Sequence, residues 1–200
     1  MKEQFISREV VGGSQELNEK DKEAISGFKA KWKAEFGFAF PEKIKTEKIQ
    51  IGGKTKEELI KELEGKGIFI TDSARYMIKD KNFTVSPKAK EVTLIELKVG
   101  DLTVGSADDL TTKLIYRKAK KFSLHLCPSE TGLHYMLQSK KEGIKSIAMK
   151  AIPGHENEPS LFSLEIASSG DRRSELGDSH EGNEWFAHEV FLFSLHEVAA

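Results

Sequence analysis

Between residues 15 and 36, apolar side chains recur at spacings of three, four or seven, and Leu17, Ala24, Ile25, Phe28, Trp32 and Phe36 share one stripe. That period predicts an amphipathic helix, since positions three and four apart lie on the same helical face. Gly37 and Pro41 end it, and Phe36, Phe38 and Phe40 require burial. Residues 1–45 therefore read as a helical arm packed on a single domain spanning 46–200. A short strand over 48–51 leads into Gly52-Gly53. Thr55 with Glu58 three residues later forms a capping-box pattern, opening a helix through Leu59, Ile60 and Leu63 that Gly65 and Gly67 stop. Asp72 or Ser73 caps a second helix carrying Ala74, Met77 and Ile78. After Pro87, a strand over 92–99 alternates Ile95, Leu97 and Val99 with polar residues. Ser106 caps a third helix, with Asp108 and Asp109 in its first turn and Lys118, Lys120 and Lys121 suiting its negative end.

From Phe122 onward the period changes to two. Phe122, Leu124 and Leu126 alternate with Ser123, His125 and Cys127, and Leu133, Tyr135 and Leu137 alternate with His134, Met136 and Gln138. Two strands are expected there, the second joined by a hairpin-length connection over 139–143 to a strand over 144–152. Further strands run through Phe162, Leu164 and Ile166 and over 190–196, separated by a polar, Gly-containing loop over 171–184. Helices first and strands afterwards predict an α+β fold, with N-terminal helices packed on a mainly antiparallel C-terminal β-meander.

Composition adds compartment and charge. One cysteine in 200 residues excludes an internal disulfide, and no run approaches 18 apolar residues, so a cytoplasmic protein without a membrane span is expected. The net charge of −1 conceals an asymmetry: residues 54–150 carry +6, whereas residues 151–200 carry −8, with no lysine after Lys150. An acidic C-terminal face for a partner with a basic surface is one consequence. Lys118, Lys120, Lys121, Lys140, Lys141, Lys145 and Lys150 are concentrated, but five arginines and a pI near 6.6 argue against nucleic acid.

The stretch LHLCPSETG, with Leu124, Leu126, Cys127, Pro128, Glu130 and Gly132, is followed by Ile147-Ala148-Met149 with Ile152 and by an aromatic strand from Phe191 to Leu195. This pattern resembles a family of short hypothetical proteins from small-genome, uncultivated bacteria. The segment from Gly52 to Ile78 is also similar to that family's first helical hairpin, so the resemblance covers about residues 50–197. Where the family carries an aspartate-rich, Trp-containing loop, this chain has SSGDRRSELGDSHEGNEW, and Leu133 stands where Pro is common. The family has no established activity, so the resemblance implies domain boundaries and no mechanism.

Three groups of residues carry candidate chemistry. Cys127 before Pro128 is placed at a helix N-cap, where the dipole favours a thiolate, and His125 or His134 would serve as base in a cysteine-dependent hydrolase or transferase. His155, Glu158, His180 and His188 are candidate ligands of a divalent-metal module, although no His-Glu-x-x-His pattern occurs. Gly52-Gly53-Lys54-Thr55 follows a strand and opens a helix as a phosphate loop does, but the first glycine of that motif falls at Lys48. No constellation is complete. The expectation is a non-catalytic, partner-binding protein with no cofactor, with the cysteine enzyme and the metal module as alternatives.

Overall fold

The computed structural model describes residues 16–41, 43–106, 109–154, 158–167 and 174–198. Among the described residues, six helices and eight strands follow in the order α1 (Glu19–Phe36), β1 (Lys45–Ile51), α2 (Lys56–Gly65), β2 (Phe69–Ile70), α3 (Asp72–Lys79), β3 (Lys90–Lys98), α4 (Val99–Leu102), α5 (Thr112–Lys121), α6 (Thr131–Gln138), β4 (Gly143–Ile147), β5 (Ile152–Pro153), β6 (Pro159–Ile166), β7 (Glu175–His180) and β8 (Val190–Ser194). The fold is mixed α and β. The strands form one sheet in the order β1-β3-β8-β4-β6-β7-β2, with β5 pairing beside β6. β2 with β7 and β4 with β8 are parallel; the other named pairs are antiparallel.

The helices-then-meander order is not what forms. Three strands are interleaved with the early helices, and the last strand, β8, inserts between β3 and β4. Hydrophobic period reports which face a segment buries, not which strand it pairs with, so a non-local insertion of this kind leaves no local trace.

Strand alternation divides the sheet into two faces. Ile49, Val92, Leu94, Leu192, Ile147, Leu164 and Leu176 occupy the first, under α2, α3 and α6. A Cβ on Gly132 would sit 3.3 Å from Ile147 and 3.4 Å from Phe162, so α6 lies directly on this face. Ile95, Leu97, Phe191 and Phe193 occupy the second, where the Tyr116 ring of α5 packs edge-on against Phe191 and Phe193.

Helix α1 covers the β1 side of the second face. Its N-cap is Asn18, paired reciprocally with Asp21, and Gly37 at φ 80° ends it. Phe28 and Trp32 are buried in the common core among Phe36, Phe38, Phe40 and Phe122, and Trp32 Nε1–H donates to Asp101 O at 2.8 Å. Among the described residues no helix is long and apolar enough to cross a membrane.

The Thr55–Glu58 capping box of α2 forms as read. Several other expectations are corrected. Thr71 caps α3 in place of Asp72 or Ser73, and Thr111 caps α5 in place of Ser106, while Asp108 lies outside the described residues. Residues 122–127 form no strand beyond single bridges from His125 to Ser194 and Cys127 to Met149. Residues 133–138 are helical: every residue from Thr131 to Met136 is buried, so apolar and polar positions alike face protein and the alternation carries no strand signal. The expected loop over 171–184 contains β7, held between β6 and β2 by backbone pairing that polar side chains do not advertise.

Candidate functional site

Glu130, at the N-cap of α6, is fully buried, and its carboxylate is surrounded by donors. Ser86 N–H donates to Oε1 at 2.9 Å, and Gly52 N–H donates to Oε2 at 3.1 Å. His134 Nε2, one turn along, stands 3.3 Å from Oε2 and 3.1 Å from the Gly52 nitrogen. Burial by itself raises this carboxyl; the hydrogen bonds from His134 and Ser86 outweigh it and hold Glu130 below the usual range. Ser129 continues the seam, accepting from Thr84 N–H and donating to Thr84 O, each at 3.0 Å. The two sequence motifs thus meet: the glycine loop after β1 is clamped to the start of α6. With Glu130 at 0% and His134 at 3% exposure, the pair has no room for a substrate, and it acts as a lock between segments.

Cys127 does not occupy the helix N-cap. Proline at 128 begins a turn, with Thr131 N–H donating to Pro128 O, and α6 starts three residues later than the proline suggests. The thiol is buried and donates to Leu192 O at 3.4 Å. Burial pushes its pKa up, with backbone at Ser194 opposing, so the lowered thiol pKa expected from a dipole is absent. His134 is engaged with Glu130 and Gly52, and half-buried His125 makes its bridge through backbone to Ser194. Among the described residues, no hydrogen bond joins Cys127 to either histidine.

Of the metal candidates, the structure brings Glu158 and His180 together, with Oε2 and Nδ1 2.8 Å apart where Ser160 pairs with His180. His188 stands on the connection before β8, stacked on Phe186 at 5.7 Å, and His155 lies outside the described residues. Among the described residues, no three His, Cys, Asp or Glu side chains gather in a way that would hold a metal ion.

Comparison with protein-family models, curated proteins and solved structures finds no match to this chain. Geometry has to carry the functional reading.

The geometry that stands out lies on the second face of the sheet, over β6 and β7, where no helix packs among the described residues. Register aligns Ile144 with Glu165, Glu165 with Glu175 and Glu175 with Phe69, one cross-strand row on a single face. Ile144 is 65% and Phe69 40% exposed. Both glutamates are half-buried, and among the described residues no cation pairs with either. Thr71, Ser163, Gly177 and Asp178 complete a depression of about 190 Å³ around Ile144, Glu165 and Glu175. Sequence reasoning located the acidic quarter but missed this row, because recognising it requires β7, which reads as loop.

Proposed function

We propose that this protein is a non-catalytic binding module whose acidic sheet face captures a partner protein with a basic surface. The observation that carries the reading is the alignment of Glu165 with Glu175 beside exposed Ile144. Like charges directly opposite on adjacent strands destabilise a sheet by a few tenths of a kcal/mol or more, roughly 0.2–1 kcal/mol. A cation seated between them removes that cost, and the flanking Ile144 adds apolar area that water gives up on binding. Three of the ten carboxylates in residues 151–200, Glu165, Glu175 and Asp178, lie in β6 and β7.

The test uses immobilised wild-type protein beside a Glu165→Gln/Glu175→Gln variant with an unchanged circular dichroism spectrum. Proteins retained from cell extract at low salt are compared by mass spectrometry. A basic protein held by the wild type and lost by the variant supports the reading. Identical retained sets, or basic proteins held equally by both, would sink it.

A further inference from the structure

Phe186 is 69% exposed, the most exposed large apolar side chain among the described residues. A lone exposed ring needs no explanation, but this one is paired and held. The His188 ring lies against it, with the planes 15° apart and the centroids 5.7 Å apart, and His188 is exposed as well. The backbone beneath the pair is pinned on both sides. Trp185 is buried; its N–H donates to Leu110 O at 2.9 Å, its Nε1–H donates to Thr112 Oγ1 at 2.8 Å, and its ring lies 4.6 Å from that of Phe191. Past the rings, Glu189 N–H donates to Phe186 O at 3.0 Å and the Glu189 carboxylate accepts from Phe186 N–H at 2.6 Å, closing the turn on itself. Val99 N–H and Gly100 N–H donate to Glu189 O and Ala187 O at 2.8 and 2.9 Å, fastening the turn to α4. A Cβ on Gly100 would lie 3.1 Å from Ala187 O, so glycine permits this close approach. Two flat, solvent-facing rings on a backbone fixed in advance lose little conformational freedom when a partner settles on them.

We propose that the Phe186–His188 turn is the anchor on which a basic partner protein stacks an arginine. The assignment rests on the reading of this chain as a module for a basic partner. Stacked rings accept a nucleobase or a guanidinium, and charge decides between them. Glu184 and Glu189 flank the rings, the first exposed and the second half-buried. No lysine or arginine occurs after Arg173, whereas six carboxylates do. The segments that hold the turn add Lys98 with Asp101 and Lys113 with Asp109, which cancel. A phosphate backbone is therefore repelled from the turn and a cation is drawn to it. Arginine suits the rings better than lysine, because its planar guanidinium lies flat on an aromatic face and sheds water more readily than an ammonium.

The test is fluorescence anisotropy of the full chain at low salt. The probes are a labelled peptide of Arg-Gly-Ser repeats, the same peptide with lysine for arginine, and a labelled single-stranded oligonucleotide. The arginine peptide is expected to bind about two- to fivefold more tightly than the lysine peptide. That preference should vanish in Phe186→Ala and be kept in Phe186→Trp, and the exposure of Phe186 lets both variants fold. Equal binding of the two peptides, or a preference that Phe186→Ala leaves intact, overturns the stack. If such binding still weakens in Glu165→Gln/Glu175→Gln, the acidic-face reading stands without it. Binding of neither peptide overturns both. An oligonucleotide held by the wild type and released by Phe186→Ala would assign the rings to a base and overturn the arginine.

Discussion

Gly52 carries two demands that no other residue type meets. Its φ is 80°, and a Cβ there would lie 2.3 Å from Lys88 O and 2.9 Å from the Ser86 Cβ. Gly67 has a similar φ of 72° with nothing within 4 Å of a Cβ. Gly67→Ala should therefore cost only the left-handed strain, about 1–2 kcal/mol. Gly52→Ala adds overpacking against backbone, for a total of about 2–5 kcal/mol. Chemical denaturation of the two variants checks the difference; equal losses would mean that the loop yields freely. Glu130 depends on the same contact. In Glu130→Gln one amide N–H2 must face Gly52 N–H or Ser86 N–H, which predicts a loss of about 2–3 kcal/mol and an unchanged fold. Part of this was legible in sequence, since Gly52-Gly53 and Glu130 each stood out. Their meeting was not, because residues 78 apart come together only through tertiary structure.

At the scale of elements, helix boundaries were legible wherever a cap and an apolar stripe agreed, as in α1 and α2. They failed where packing removed the contrast. α6 is buried on every side from Thr131 to Met136, so no period distinguishes helix from strand, whereas β7 is a polar strand made by its neighbours. The docking of α1 yields a pH prediction. Asp21 is buried against β1 and the C-terminal segment, with His196 Nε2 at 2.8 Å and Lys48 Nζ at 3.2 Å, and Lys48 also bridges to Glu91 at 3.1 Å. Burial raises the Asp21 carboxyl, but hydrogen bonds from His196, Lys48, Thr93 and the Asn18 backbone outweigh it and leave it below its ordinary value of 3.8. A depressed carboxyl contributes stability above its unfolded pKa and loses it as pH falls through the lower folded value. Asp21→Asn should thus be less stable than wild type at neutral pH, and the gap should close below the ordinary carboxylate range. Trp32, packed in the core from α1, reports undocking by a red shift in emission. Glu130, also depressed, titrates in the same direction, so the difference between wild type and variant is the quantity to follow, and a gap that persists at acid pH would remove Asp21 from the account.

The whole molecule is nearly neutral, at −1, and a net-charge argument gives every glutamate the same weight. Local placement does not. Glu96 faces Lys45 across the β1–β3 pair at 3.2 Å and Glu91 meets Lys48 diagonally at 3.1 Å, while Glu165 faces Glu175 across β6–β7. Each Glu→Gln change moves the total from −1 to neutrality. If net charge governed stability, all would act alike. The register predicts opposite signs: Glu165→Gln should raise Tm by about 1–4 °C at low salt through loss of a like-charge contact, and Glu91→Gln should lower it by removing one partner from Lys48. High salt should shrink the gain at Glu165, whose side chain reaches solvent, more than the loss at Glu91, whose lysine is nearly buried. A destabilised Glu165→Gln protein would mean that Glu165 already has a favourable partner within the chain, and the acidic row would lose its claim as a seat for a partner's cation. A stabilised one would identify a surface held at a cost to the fold, which is the signature of a contact made to something else.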